Sequence, residues 1–230
     1  MGGRTKPLKI GGGVGYRDIS MKESAGVAKA RRAFGLFGFL LVVWSFYRLI
    51  FRLPENVEEL FIKPAVWLGA VGYLLVKEKR GLASLGWENK NIGKSLYLGT
   101  VLGGTFAIAG LAVGKDLYVN LDYRLGMALL TTLFTAISEE TVFRGYILRR
   151  FLEVGGNKWL AVAISTVAYS LIHLPVWILM MGRTGGEVAV QVAVLAAFGV
   201  GAGLVAVLSK SVAGAALGHW IFGFAVGYLR

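Results

Sequence analysis

The sequence predicts an all-α fold, a polytopic transmembrane helical bundle of seven to eight spans. Three observations carry that prediction. Of 230 residues, 56% are hydrophobic and 17% are charged, more apolar and less charged than a soluble globular domain. The apolar residues gather in runs near the ~20 residues that cross a bilayer as helix. Between the runs lie short polar or basic connections, with no repeat and no soluble domain.

The first element is a tail. Residues 1–32 are basic and Gly-rich, with eight Lys/Arg against Asp18 and Glu23, and supply half of the net charge of +12. They are expected to form a flexible cytoplasmic arm near anionic headgroups. Membrane lipids, not nucleic acid, are therefore the expected partner of this charge. The arm has no apolar h-region, so no cleavable signal peptide is expected. Residues 33–230 form the membrane domain.

The spans follow in order. The first is expected at Ala33–Phe51, followed by an acidic loop with Glu55, Glu58 and Glu59, and the second at Phe61–Val76. A basic connection, Lys77–Lys94, carries Leu82, Leu85 and Trp87 among its charges, as an interfacial segment does. The third span is expected at Ser95–Val113 and the fourth at Leu125–Leu148. The fifth is expected at Trp159–Met181, where Pro175 predicts either a kink or a short re-entrant piece. The sixth, Glu187–Leu208, has a small-residue stripe (Ala197, Gly199, Gly201, Gly203) suited to close helix packing. The last is expected at Val212–Leu229. A cytoplasmic N-terminus puts most Lys and Arg on the cytoplasmic side, in keeping with the positive-inside rule.

The fourth span holds an anomaly, Ser138-Glu139-Glu140-Thr141-Val142-Phe143-Arg144. A charge at the bilayer centre costs ~3 kcal/mol even on lenient scales, and such residues mark function by default. Both histidines of the chain, His173 and His219, fall in other apolar segments. A rise of ~1.5 Å per residue puts Glu139 roughly 15 Å, His173 roughly 21 Å and His219 roughly 10 Å from the cytoplasmic ends of their spans. All three can share one cavity facing the cytoplasm.

Helical spacing divides the cluster. Glu140 and Arg144 lie four apart, on one face, and are expected to pair as a structural clamp. Glu139 is turned about 100° away and is expected to be the free carboxylate, a general base in low-dielectric surroundings. Tyr169 lies one turn before His173 on the same face. A glutamate and a histidine can activate water against a carbonyl, while a second histidine stabilises the tetrahedral intermediate. This chemistry hydrolyses a peptide bond without a covalent intermediate.

Other readings stand beside it. Two carboxylates and two histidines can also make a zinc or iron shell, although His-Glu-x-x-His and Glu-x-x-His spacings are absent. The buried pair can simply fix helix register in a non-enzymatic scaffold or immunity protein. A proton-relay transporter ranks last, because paired broken helices are lacking. The chain has no cysteine, which removes disulfides, thiolate ligands and a cysteine nucleophile.

Three motifs follow one another in the C-terminal half. Glu139-Glu140-Thr141-Val142-Phe143-Arg144 matches a Glu-Glu-x-x-x-Arg pattern. Tyr169-Ser170-Leu171-Ile172-His173 matches Phe-x-x-x-His with tyrosine in place of phenylalanine. His219-Trp220-Ile221-Phe222-Gly223 matches His-x-x-x-Asn/Asp in its histidine alone. Over residues 125–230 they resemble the CAAX protease and bacteriocin-processing (CPBP, Abi) family, whose archetype is the type II CAAX prenyl endopeptidase. The resemblance implies an all-helical intramembrane glutamate protease of the cell membrane with no resident cofactor. It implies a peptide or lipidated protein as substrate, prenylated CAAX proteins being one class. It also implies Glu139 and His173 as the water-activating pair and His219 as an oxyanion donor, with Glu140, Arg144 and Tyr169 in support. The departure is Gly223, which leaves the second oxyanion donor missing. A catalytically weak or inactive member of the family is therefore the alternative.

Overall fold

The computed structural model describes residues 15–51, 53–88, 90–113, 125–155 and 157–228. Among them the chain is helical, with no strand. Helix α1 is Gly15–Ile50 and α2 is Glu55–Glu78. Helix α3 is Ile92–Val113 and α4 covers 125–155. Helix α5 is Lys158–Met180, α6 is Gly185–Ser209 and α7 is Ala213–Tyr228.

Five of these are long and apolar enough to cross a membrane: Gly26–Ile50 of α1, α2, Ile92–Ala112 of α3, α5 and α6. Ala213–Gly227 of α7 is apolar but shorter, and α4 carries the charged cluster. Of the seven to eight expected spans, five thus meet the length and apolarity of a crossing. The surface agrees with a lipid environment. Phe34, Phe39 and Phe46 on α1, Ile108 on α3 and Val190 on α6 are exposed, whereas a soluble monomer rarely shows apolar surface on this scale. The protein is an integral membrane protein.

Two boundaries differ from the sequence reading. Helix α1 runs unbroken from Gly15 through Arg32, so the end of the basic segment is not the start of a helix. Residues 1–14 of the expected tail, and 229–230 after the last helix, lie outside the described residues. Helix α2 starts at Glu55 and not at Phe61, which brings Glu58 and Glu59 of the expected loop into the helix. Its turn Glu58–Ile62 is a π turn, just ahead of Pro64, which has no N–H for a helical bond. There Arg48 of α1 donates to the buried carboxylate of Glu58.

The ends are capped by local chemistry. Asn157 accepts from the N–H groups of Trp159 and Leu160 at the start of α5. Thr184 and Glu187 form a reciprocal capping box at the start of α6. At the other end of α2, Glu78 accepts from Tyr146 Oη at 2.8 Å and Arg150 Nε at 2.9 Å. Glu153 pairs with Lys29 at 2.9 Å and with Arg80 at 2.6 Å. These bonds tie α1, α2 and α4 together at one end of the bundle.

Glycines set the closest helix approaches. A Cβ on Gly214 of α7 would lie 1.9 Å from the Ser95 carbonyl oxygen, and one on Gly99 of α3 would lie 2.0 Å from that of Gly214. Only glycine lets these two backbones touch. The expected stripe on α6 also packs closely: a Cβ on Gly199 would lie 2.9 Å from Thr166 of α5, and one on Gly201 would lie 2.5 Å from Leu102 of α3. The core between the helices is an aromatic chain. Trp44 meets Trp67, Trp67 meets Phe143, Phe143 meets Tyr169, and Phe198 meets both Tyr169 and His219, with ring centroids 5.3 to 6.4 Å apart. It links six helices and walls the charged cluster of α4.

Candidate active site

The cluster sits where α4 changes its winding. The α-helical ladder ends at Glu140, and Thr141–Ile147 is a π turn in which the N–H of Leu148 bonds the Phe143 carbonyl. Such turns are rare and frequent at functional sites. The wide turn is held from outside. Ser165 of α5 donates to the Phe143 carbonyl at 2.9 Å, and Trp87 Nε1 donates to Thr141 Oγ1 at 3.0 Å. Trp87 follows a 3₁₀ turn, Leu82–Leu85. Leu85 of this expected interfacial segment is fully buried and lies close to Gly145.

Glu140 and Arg144 form the expected pair. Arg144 Nη1 donates to Glu140 Oε1 at 2.9 Å, and both side chains are fully buried. Arg144 also donates to the Gly199 carbonyl at 3.2 Å and lies over the Tyr169 ring at 4.3 Å. Glu140 does more than clamp, however. His219 Nδ1 lies 3.0 Å from the same Glu140 Oε1. A carboxylate ion-paired to Arg144 only accepts, so Nδ1 donates. The other ring nitrogen, Nε2, is turned into the site.

The orientation of His173 follows from Pro175. Proline cannot donate to the Leu171 carbonyl and clashes with it, and the α ladder of α5 gives way to a turn at Ile172–His173. The N–H of His173 then bonds Ser170 at 3.4 Å. The Tyr169 carbonyl is left to accept from His173 Nδ1 at 2.8 Å. This fixes the tautomer and leaves Nε2 as the acceptor. Helix α5 therefore continues past the break as one interrupted segment to Met180.

The two Nε2 atoms converge on one oxygen. Glu139 Oε2 lies 3.9 Å from His173 Nε2 and 3.8 Å from His219 Nε2, with no hydrogen-bond partner among the described residues. Glu139 is not the free carboxylate expected, because Lys63 Nζ of α2 donates to Oε1 at 2.6 Å. Lys63 also donates to Glu59 at 2.8 Å, and Glu59 accepts from Thr135 at 2.7 Å. The sequence reading missed Lys63 and Glu59. Their one signal was the four-residue spacing that puts them on a common helix face.

Tyr169 Oη lies 3.5 Å from His219 Nε2, and Gly223, one turn after His219, has no side chain. A Cβ at Gly223 would meet only His219 Cδ2, at 3.9 Å. The His173 side chain is 25% exposed, against 4% for Glu139, so the site opens past His173. No group of three or more His, Asp or Glu among the described residues has the arrangement of a metal site.

Residues 122–225 match the family model for the type II CAAX prenyl endopeptidase Rce1-like proteins. That segment is similar to the Rce1-like family. Comparison with curated proteins and with solved structures gives no match. The Rce1-like family is a family of proteases. Glu139, Glu140, Arg144, Tyr169, His173 and His219 all lie within the Rce1-like segment. Lys63 and Glu59 lie outside it, on a helix that the match does not reach.

Proposed function

We propose that the chain is an intramembrane endopeptidase that hydrolyses a peptide bond of a membrane-associated substrate, with prenylated CAAX-type proteins as the first class to test. The observation that carries the reading is the convergence of His173 Nε2 and His219 Nε2 on the unpartnered Oε2 of Glu139, at 3.9 and 3.8 Å. The Rce1-like match supports the substrate class.

In this reading a water donates to Glu139 Oε2 and to the lone pair of His173 Nε2. Its oxygen attacks the scissile carbonyl carbon while its proton passes to the Glu139–His173 pair. The carbonyl π electrons move to oxygen. A protonated His219 donates from Nε2 to that oxyanion while Nδ1 stays on Glu140. The Tyr169 hydroxyl, 3.5 Å from His219 Nε2, is a further donor beside it. When the intermediate collapses, the C–N bond breaks and the leaving amine takes the proton held by the pair. The products are a free carboxyl end and a free amine end.

The distribution of Lys and Arg between the loops supports a cytoplasmic N-terminus. Gly223 favours a second reading, a weak or silent member of the family acting as a membrane scaffold. A cleavage assay separates the two. The detergent-solubilised protein is given a farnesylated CAAX peptide with a quenched fluorophore. Cleavage by the wild type that is lost in Glu139→Ala supports the protease; cleavage unchanged in Glu139→Ala rejects the assignment of the site.

A further inference from the structure

Lys63 is buried, and it is a cation that the Rce1-like segment does not contain. Its ammonium lies 2.6 Å from Glu139 Oε1 and 2.8 Å from Glu59 Oε2. The rings of Trp67 and Trp44 flank it, with centroids 5.1 and 5.8 Å from Nζ. Glu59 is held in turn by Thr135 Oγ1 of α4 at 2.7 Å. A buried ammonium between two carboxylates and two indoles has little freedom to move.

We propose that Lys63 is a positioning residue for Glu139, part of a relay Thr135–Glu59–Lys63–Glu139 that α2 contributes to the site on α4. The inference rests on the protease reading. It adds that the Rce1-like segment does not hold a complete site and depends on a helix from the other half of the chain.

Three observations support it. First, a carboxylate has two oxygens, and Lys63 takes one. The other, Oε2, is the one facing both histidines. Without Lys63, Glu139 is free to rotate, and either oxygen can turn away. Second, Glu139 is 4% exposed at its side chain, and a buried carboxylate needs a compensating charge. Arg144 is committed to Glu140 and to the Gly199 carbonyl. Third, Lys63 is anchored on its far side by Glu59, one helical turn away on the same face. Its position is therefore held also by Glu59, which Thr135 of α4 fixes in turn, and does not depend on Glu139 alone.

Lys63 does not touch substrate in this account; it acts through the aim of Oε2. Misplacing a reacting group by about 1 Å can lower the rate by about 100-fold. The effect belongs in kcat, with KM little changed.

The test uses the full-length protein in detergent and the quenched farnesylated CAAX peptide. Lys63→Met is expected to lower kcat by about 100-fold, with KM within about threefold. Lys63→Arg, which keeps the cation, is expected to recover at least about tenfold of that loss. In a Glu139→Gln background, Lys63→Met is expected to have no further effect. The same variants, labelled with ¹³C at the Glu carboxyl, give a readout independent of turnover. The Glu139 signal, assigned by its loss in Glu139→Gln, is expected to move in Lys63→Met. Where Lys63→Met does not fold, Glu59→Gln replaces it, with a smaller drop in kcat expected.

An unchanged kcat in Lys63→Met overturns the proposal, as does an equal further loss in the Glu139→Gln background. An unmoved Glu139 signal overturns it as well. A moved signal without cleavage by the wild type supports the pairing and rejects the protease reading instead.

Discussion

His219 donates from Nδ1 to Glu140 at 3.0 Å, and this contact turns the opposite nitrogen toward Glu139. Glu140 therefore has two duties. It neutralises Arg144 inside the bundle, and it holds Nδ1 of a histidine 79 residues further along the chain. His173 is fixed differently, by a backbone carbonyl released at the helix break next to Pro175. Two unrelated local devices thus aim two imidazoles at one oxygen of Glu139.

The double duty of Glu140 makes Arg144 a stability residue first. Arg144→Ala leaves a fully buried carboxylate without its cation and is expected to cost about 3 kcal/mol or more. The loss is read as a lower unfolding temperature in detergent. A variant as stable as the wild type would mean that the pair does not hold the helices together.

Gly223 lies beside His219, and a Cβ there meets nothing closer than 3.9 Å. Gly223→Asn is therefore expected to fold normally and to add a donor on the oxyanion side. Turnover of the farnesylated peptide should rise about tenfold or more. Unchanged turnover would show that the glycine is not what limits the chemistry.

Tyr169→Phe removes one hydroxyl, 3.5 Å from His219 Nε2, and keeps the ring under Arg144. The unfolding temperature is expected to change little and kcat to fall about tenfold, the scale of one hydrogen bond. If kcat is retained, the hydroxyl has no part in the reaction.

Helix α7 brings His219 to the site, and its approach to α3 is set by glycine. Gly214→Ala puts a Cβ where the Ser95 carbonyl now lies. It is expected to destabilise the protein by about 1–3 kcal/mol and to lower activity by moving His219. Unfolding and cleavage measured together on this variant check both effects. Gly35→Ala on α1, where a Cβ meets nothing within 4 Å, is the control expected to change neither.

Much of the site was legible because its chemistry is costly in lipid. Three charges in an apolar segment, and the only two histidines, marked Glu139, Glu140, Arg144, His173 and His219 before any geometry was known. The four-residue spacing of Glu140 and Arg144 gave their pairing, because an α turn places them on one face. Lys63 was not legible. It falls two residues inside the expected second span, where a lysine looks like a boundary charge, and its partner lies 76 residues away on another helix. The freedom assigned to Glu139 failed for that reason, since helical spacing on α4 says nothing about what α2 presents to it. The start of α2 was missed because Glu55, Glu58 and Glu59 look like loop. Glu58 is acceptable in a helix there only because Arg48 of α1 meets it. The close approach of α3 and α7 was not read from the sequence, although Gly99 and Gly103 on α3 and Gly214 and Gly218 on α7 each lie four apart on one helix face and all four meet in the contact.

The most direct measurement is kcat on the farnesylated CAAX peptide for the wild type and Glu139→Gln, with unfolding temperature recorded on the same samples. Glutamine keeps the shape of the side chain and removes its charge. The account predicts cleavage by the wild type and a loss of at least about 1000-fold in Glu139→Gln, from a protein that remains folded. Cleavage by folded Glu139→Gln at the wild-type rate would contradict it.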